Sequence, residues 1–322
     1  MSSFVDRLLP WRRAASAASP SAEEPPAIPE ATLRGLRLES SRVADAAMSG
    51  FHASARLGRG VEFAGFRAYA PGDDLRLLDR RRSFSDSGLL VRQYEVERDR
   101  ALLVVVDGSA SMGAVSGGDD GKRRWANVLA SALVRVAAAQ GDAACGALLG
   151  PRTIVGGFLR GKAAFDRATE VFAHEGEDAS TSNAGATTPD RALEGAARRV
   201  ALGAGWLVLA SDFLDHAPPL LALLGEARSR GARVVALRFE TARERDFPFD
   251  ASARLRDPES GAIVETFGPA ARPRYAAARA AHRAAVEAAL VAQGVVLVDA
   301  WTDERPEGTL LRVVEAIAAA RR

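Results

Sequence analysis

The run "ALLVVV", residues 101–106, places six apolar residues together with no polar alternation. A strand with one wet face carries a polar residue at every second position, so this strand belongs where both faces are covered. Similar runs recur in "GWLVLAS" at 205–211, "ARVVALRF" at 232–239 and "GVVLVDA" at 294–300. Segments of helical period separate them: "KRRWANVLASALVRVAAAQ" at 122–140, then helices predicted around 161–173, 189–201 and 217–229. "DAACGALL" and "RTIVGGFL" read as a strand pair, and a hairpin is expected over 252–266. A long helix from about Arg272 to Ala292 and a last helix from about Glu307 complete the pattern. Strands alternating with helices specify a doubly wound, mostly parallel α/β sheet, helices on both faces.

The chain ahead of this region has a different character. Residues 14–31, "AASAASPSAEEPPAIPEA", offer almost nothing to bury, so 1–32 reads as a disordered tail and linker. Residues 33–100 read as a separate segment, with a helix from about Leu33 to Met48 and short strands between turn signals at "APGDD" and "SDSG". The sheet domain then spans 101–322.

Composition removes several function classes. All but two of the 43 basic residues are arginine, the exceptions being Lys122 and Lys162, and they are interspersed with 41 acids for a net charge of +2. Such mixing gives no face for a polyanion, so nucleic acid is not an expected partner. The single cysteine, Cys145, lies in an apolar run and reads as a buried thiol, which agrees with a reducing, cytoplasmic setting. No segment approaches the roughly 20 apolar residues that span a bilayer.

Chemistry gathers where strands end. In a doubly wound sheet, ligands bind outside the carboxyl ends of the strands, where strand order reverses. "VVVDGSASMG" puts Asp107, Ser109 and Ser111 at one such end, and "WLVLASDF" puts Asp212 at another. The loop "NAGATTPDRALEGA" offers the hydroxyls of Thr187 and Thr188. Carboxylates and hydroxyls make an all-oxygen set suited to a hard cation such as magnesium, manganese or calcium. Zinc is disfavoured, because these segments hold no histidine or cysteine. Read alone, the two serines could equally cap a helix.

These motifs carry a resemblance. Asp107-x-Ser109-x-Ser111, a later threonine and a later aspartate resemble the metal-ion-dependent adhesion site of the von Willebrand factor A fold, a Rossmann-like sheet. Measured back from Ala192-Leu193, the threonine of that pattern falls on Thr187, with Thr188 as the fallback. Glu62, Phe63, Gly65, Arg67, Tyr69, Gly72 and Asp73, then Leu89, Val91, Arg92, Tyr94 and Glu97, are similar to the run before the metal motif in the family called domain of unknown function 58 (DUF58). The later "RDPESGAIVE" and Tyr275 fit it too. One departure stands at Leu78-Asp79-Arg80, where the family shows a tryptophan at the third place.

The resemblance implies a von Willebrand factor A-type sheet with an N-terminal extension containing β-strands. It implies a magnesium site formed by Asp107, Ser109, Ser111, Thr187 and Asp212, and a non-enzymatic module that grips an acidic side chain of a partner. It further implies an adaptor working with a MoxR-type AAA+ ATPase. The alternative is a metal-assisted hydrolase at the same sheet edge. A phosphatase of the aspartyl-nucleophile type needs an acid where Ser109 stands, and no histidine sits in the expected downstream segment to serve as a base for Ser111. Asp119, Asp120 and Asp215 read as solvated loop acids, Arg67 and Arg92 as partners of nearby acids, Trp125 as core packing, and the four histidines as surface or satisfied positions.

Overall fold

The computed structural model describes residues 30–52, 63–71, 78–79, 89–94, 101–113, 121–150, 153–174, 189–214 and 217–319. The chain divides into two units, one formed by residues up to Ser49 together with Arg100 onward, the other by Gly50–Asp99. Within the second unit, β1 (Phe63–Ala68) pairs antiparallel with β2 (Leu90–Tyr94), with an irregularity between Phe63 and Gly65. Leu78 bridges Val91 in the same unit, and the Asp79 amide donates to the Leu90 carbonyl at 2.9 Å.

The first unit opens with helix α1 (Glu30–His52), which begins three residues before the predicted start. Six strands form its main sheet: β3 (Ala101–Asp107), β4 (Ala143–Leu149), β5 (Ile154–Val155), β6 (Trp206–Ser211), β7 (Arg233–Glu240) and β10 (Val296–Trp301). Their order across the sheet is β10-β7-β6-β3-β4-β5. All neighbours are parallel except β5, which runs antiparallel along the edge of β4. The chain builds outward from β3 to β5, then returns to lay β6 against the other side of β3. The order therefore reverses between β3 and β6.

Every residue of β3, β4 and β6 is buried, as the unalternating apolar runs require. Leu102, Val104 and Val106 face one helical layer, while Leu103 and Val105 face the other. The first layer contains α1, α3 (Lys122–Ala139), α4 (Gly161–Ala173) and α9 (Pro306–Ala319). The second contains α5 (Arg191–Leu202), α6 (Ala217–Ser229) and α8 (Gly268–Ala292). Two short helical turns, α2 (Ala110–Gly113) and α7 (Ala242–Asp246), follow β3 and β7. A two-stranded hairpin, β8 (Ser252–Arg256) with β9 (Ile263–Phe267), is inserted between α7 and α8.

Two elements differ from the sequence reading. The strand expected in "RTIVGGFL" shrinks to Ile154–Val155, with Leu159 returning to Ala144 as an isolated bridge; Gly157, at φ +77°, turns the chain out of the ladder between them. Helix α8 starts at Gly268 rather than Arg272 because Pro269 sits in its first turn, where backbone amides have no helical acceptor to lose.

Candidate functional site

The carboxyl ends of β3 and β6 lie side by side, with Val106 in register with Ala210. The next residue on each strand is therefore Asp107 and Ser211, and the Ser211 hydroxyl donates to Asp107 Oδ2 at 2.6 Å. Asp107 Oδ1 accepts the Ser109 amide at 2.9 Å, which folds the chain back just past the strand. The Ser109 and Ser111 hydroxyls then meet at 3.1 Å. Alternate spacing on a tight turn has brought both hydroxyls to one side, as the sequence pattern requires.

Gly108 is forced by packing. A Cβ there would lie 2.4 Å from the Leu149 carbonyl oxygen, the same oxygen that accepts the Gly108 amide at 2.5 Å. The Arg123 guanidinium holds the other side, donating to the Gly108 carbonyl at 3.0 Å. Strand β4 thus fixes the turn that carries the serines.

Asp212 follows Ser211, so it stands at the same edge. Its Oδ1 accepts the Leu214 amide at 3.2 Å, and its Oδ2 receives the Lys122 ammonium at 2.8 Å. Phe213 between them adopts φ +55°, a left-handed conformation that costs a non-glycine residue on the order of 1 kcal/mol. Its surroundings hold it there: the amide donates to Ser211 Oγ at 2.9 Å, and His282 Nε2 meets its carbonyl at 2.9 Å. Burial drives the His282 pKa below its ordinary value, so the neutral ring donates to that carbonyl. His282, read from sequence as a bland position, props the loop that presents Asp212.

Lys122 is the feature the sequence reading missed. It is the first residue of α3, and helical side chains lean back toward the N-terminus, so it reaches out to the sheet edge. Only 2% of it is exposed, and its ammonium sits between Asp212 and Glu244 Oε1. Burial and the positive end of α3 both oppose a cation there. The two facing carboxylates outweigh them and hold the ammonium protonated well above the ordinary lysine range. Glu244 is itself fixed: it closes a capping box with Thr241, its Oε2 accepting the Thr241 amide at 2.8 Å, and the Tyr275 hydroxyl donates to its carbonyl at 2.6 Å. Beyond Asp212 and Glu244 opens a cavity of about 140 Å³ lined also by Tyr275, Arg279 and His282.

Asp107 is 2% exposed, and none of its contacts among the described residues is with a cation. Burial, then the nearby Asp212 charge, raise its pKa above the ordinary aspartate value despite the hydroxyl and amide bonds it accepts. Such a carboxyl gains from a neighbouring positive ion. The donor set fits a hard dication on this ground. Asp107 offers carboxylate oxygens beside the paired serine hydroxyls, and Asp212 is close enough for its charge to bear on Asp107. Among the described residues, no three acids, histidines or cysteines cluster tightly enough to hold an ion by themselves.

Thr187 and Thr188 lie outside the described residues, as do Asp119, Asp120, Asp215 and Gly72–Asp73. Asp190, two residues after Thr188 in sequence, caps α5 by accepting the Leu193 amide at 2.9 Å. A further acid comes from the segment "RDPESGAIVE": Glu259, at the tip of the β8–β9 hairpin, accepts the Ser111 amide at 2.8 Å.

A family model described as a protein of unknown function, DUF58, matches residues 65–285. Uncharacterized proteins of Mycobacterium bovis and Mycobacterium tuberculosis are each 29% identical over 311 residues, covering 91% of this chain and 90% of the relative. Among solved structures, a conserved hypothetical protein BatB from Bacteroides thetaiotaomicron aligns at 13% identity with a TM-score of 0.42, over 69% of this chain and all of that one. An aerotolerance-related membrane protein from Bacteroides fragilis aligns at 13% identity and 0.39, over 68% of this chain and 99% of that one. No helix among the described residues is long and apolar enough to cross a membrane.

Proposed function

Because the chain belongs to the DUF58 family, we propose that it is a divalent-cation-dependent protein-binding module of the von Willebrand factor A type, and not an enzyme. The observation that carries this reading is the meeting of Asp107, Ser109 and Ser111 with the end of β6 where strand order reverses, Asp107 being bonded to Ser211, the residue before Asp212. Asp107, Ser109, Ser111 and Asp212 would hold the ion, with Thr187 as the fifth contributor. Bound there, a magnesium ion supplies a Lewis-acidic position open to one carboxylate. The remaining work falls to the chain. Asp107 and Asp212 neutralise the ion, the serines orient it, and Lys122 limits the negative charge so that an incoming acid is not repelled.

The family resemblance extends the proposal to an adaptor that acts beside a MoxR-type AAA+ ATPase in assembling or remodelling other proteins. Two side chains favour this over hydrolysis. Ser109 stands where a leaving-group acid would be needed, and His282 hydrogen-bonds the Phe213 carbonyl.

Titration with Mg²⁺ and Mn²⁺ tests the site directly. The expected result is one bound dication, lost in Asp107→Ala with the circular dichroism spectrum retained. Undiminished binding in that variant overturns the assignment. Thr187→Ala weakens the ion more than Thr188→Ala; the opposite ranking moves the ligand by one residue. Co-precipitation with a MoxR-type ATPase should require the dication and fail in chelator, and p-nitrophenyl phosphate should survive incubation with the loaded protein.

A further inference from the structure

The hairpin β8–β9 reaches across 148 residues of sequence to set the Glu259 carboxylate on the Ser111 amide at 2.8 Å. This acid is presented by a built turn. Asp257 Oδ1 accepts the Glu259 amide at 3.0 Å, and its Oδ2 takes the Ser260 hydroxyl. The Asp257 amide donates to the Ala262 carbonyl and its carbonyl accepts the Gly261 amide, each at 2.8 Å, with Gly261 at φ +71° closing the turn. A tip tied at so many points holds its acid at one place, the backbone amide of Ser111, whose own hydroxyl meets that of Ser109. Exposure differs as well: Asp107, Ser109, Ser111 and Asp212 are buried, whereas Glu259 is half-buried and so reaches both the Ser111 amide and solvent.

We infer that Glu259 is the chain's own acid for the open position of the candidate cation site, so that the hairpin tip and a partner's acidic side chain compete for one place. The inference rests on the cation-dependent reading above and deepens it. A partner that binds here must bring an acid on a turn able to displace the tip, and its affinity is reduced by the work of displacement. The hairpin thereby keeps unrelated carboxylates off the ion.

Mn²⁺ is the probe, with the full chain, followed by electron paramagnetic resonance for affinity and by water-proton relaxation for the waters left on the ion. Wild type should bind Mn²⁺ with low relaxivity. Glu259→Gln should bind roughly ten-fold more weakly and with higher relaxivity, because water replaces the missing carboxylate. Acetate should then lower the relaxivity of the variant complex and leave that of wild type unchanged. Glu259→Ala should behave as Glu259→Gln does, and matching circular dichroism melts establish that both are folded. Equal affinity and relaxivity in wild type and both variants overturns the inference while leaving the site itself standing. A wild-type chain that binds no Mn²⁺ overturns the cation-dependent reading and this inference together.

Discussion

Lys122 shows how a buried charge is held at this sheet edge. Both of its partners are acids, and Asp212 is nearly as buried as the lysine, at 5% exposure. Removing one member of a buried ion pair leaves an uncompensated charge and costs about 3–5 kcal/mol. Lys122→Met should therefore lower stability by that order in urea unfolding with chelator present. Saturating Mg²⁺ should recover part of the loss, since the dication supplies positive charge to Asp212. A variant that unfolds like wild type, with and without Mg²⁺, would mean that the ammonium is not needed there. Tyr275 gives the pH counterpart. Burial, then the Glu244 and Glu240 charges, push its hydroxyl up to about 12. The folded chain thus holds this proton more tightly than the unfolded one, so the associated stability is complete below about pH 10 and falls as pH rises toward 12. Tyr275→Phe should cost about 1 kcal/mol at neutral pH through the lost bond to the Glu244 carbonyl. The gap to wild type should narrow above pH 10 in urea melts taken at stepped pH.

At the scale of elements, β3, β4 and β6 were legible because burial on both faces removes the polar alternation that would blur a strand. Asp107, Ser109 and Ser111 were legible because one turn carries all three, and Asp212 because it follows a second strand of the same kind. Lys122, Glu244 and Glu259 were not. Their contacts span 90, 122 and 148 residues, and nothing local to a lone lysine or a turn glutamate announces such a partner. Two signals existed in hindsight. Lys122 is one of two lysines among 43 basic residues, and Thr241-x-x-Glu244 has the spacing of a capping box. The elements also differ in how they are held. Central β3 and β6 bond on both sides and are buried throughout, whereas β5 has two residues and β8–β9 alternates between exposed and half-buried positions. Amide exchange should accordingly be slowest in 101–107 and 206–211 and fast in 252–267. Addition of Mn²⁺ should slow exchange at residues 257–261 in wild type and much less in Glu259→Gln. Uniform exchange across these segments would contradict the ordering.

For the molecule as a whole, the first unit is not the contiguous block 101–322. Helix α1 belongs with the sheet: Val43, Ala44 and Ala47 are buried in the same apolar cluster as α3 and α4. Polar contacts follow the same seam, with Arg37 Nε donating to Thr169 Oγ1 at 3.1 Å and Arg135 donating to Asp45 Oδ1 at 3.0 Å. The chain therefore leaves the unit after its first helix and re-enters it as its first strand, β3. A chain begun at residue 101 would strip the cover from that face. Burial of Leu33, Val43, Ala44 and Ala47 is worth on the order of 5 kcal/mol, a large part of the stability of an ordinary domain. Such a chain should bind hydrophobic dyes and aggregate. The sharper version keeps the chain whole: Ala44→Glu places an unpaired carboxylate where the present side chain is fully buried. Its urea midpoint should fall well below that of the exposed control Ala46→Glu on the same helix. Equal midpoints for the two would show that α1 does not dock, and that the sheet is complete without it.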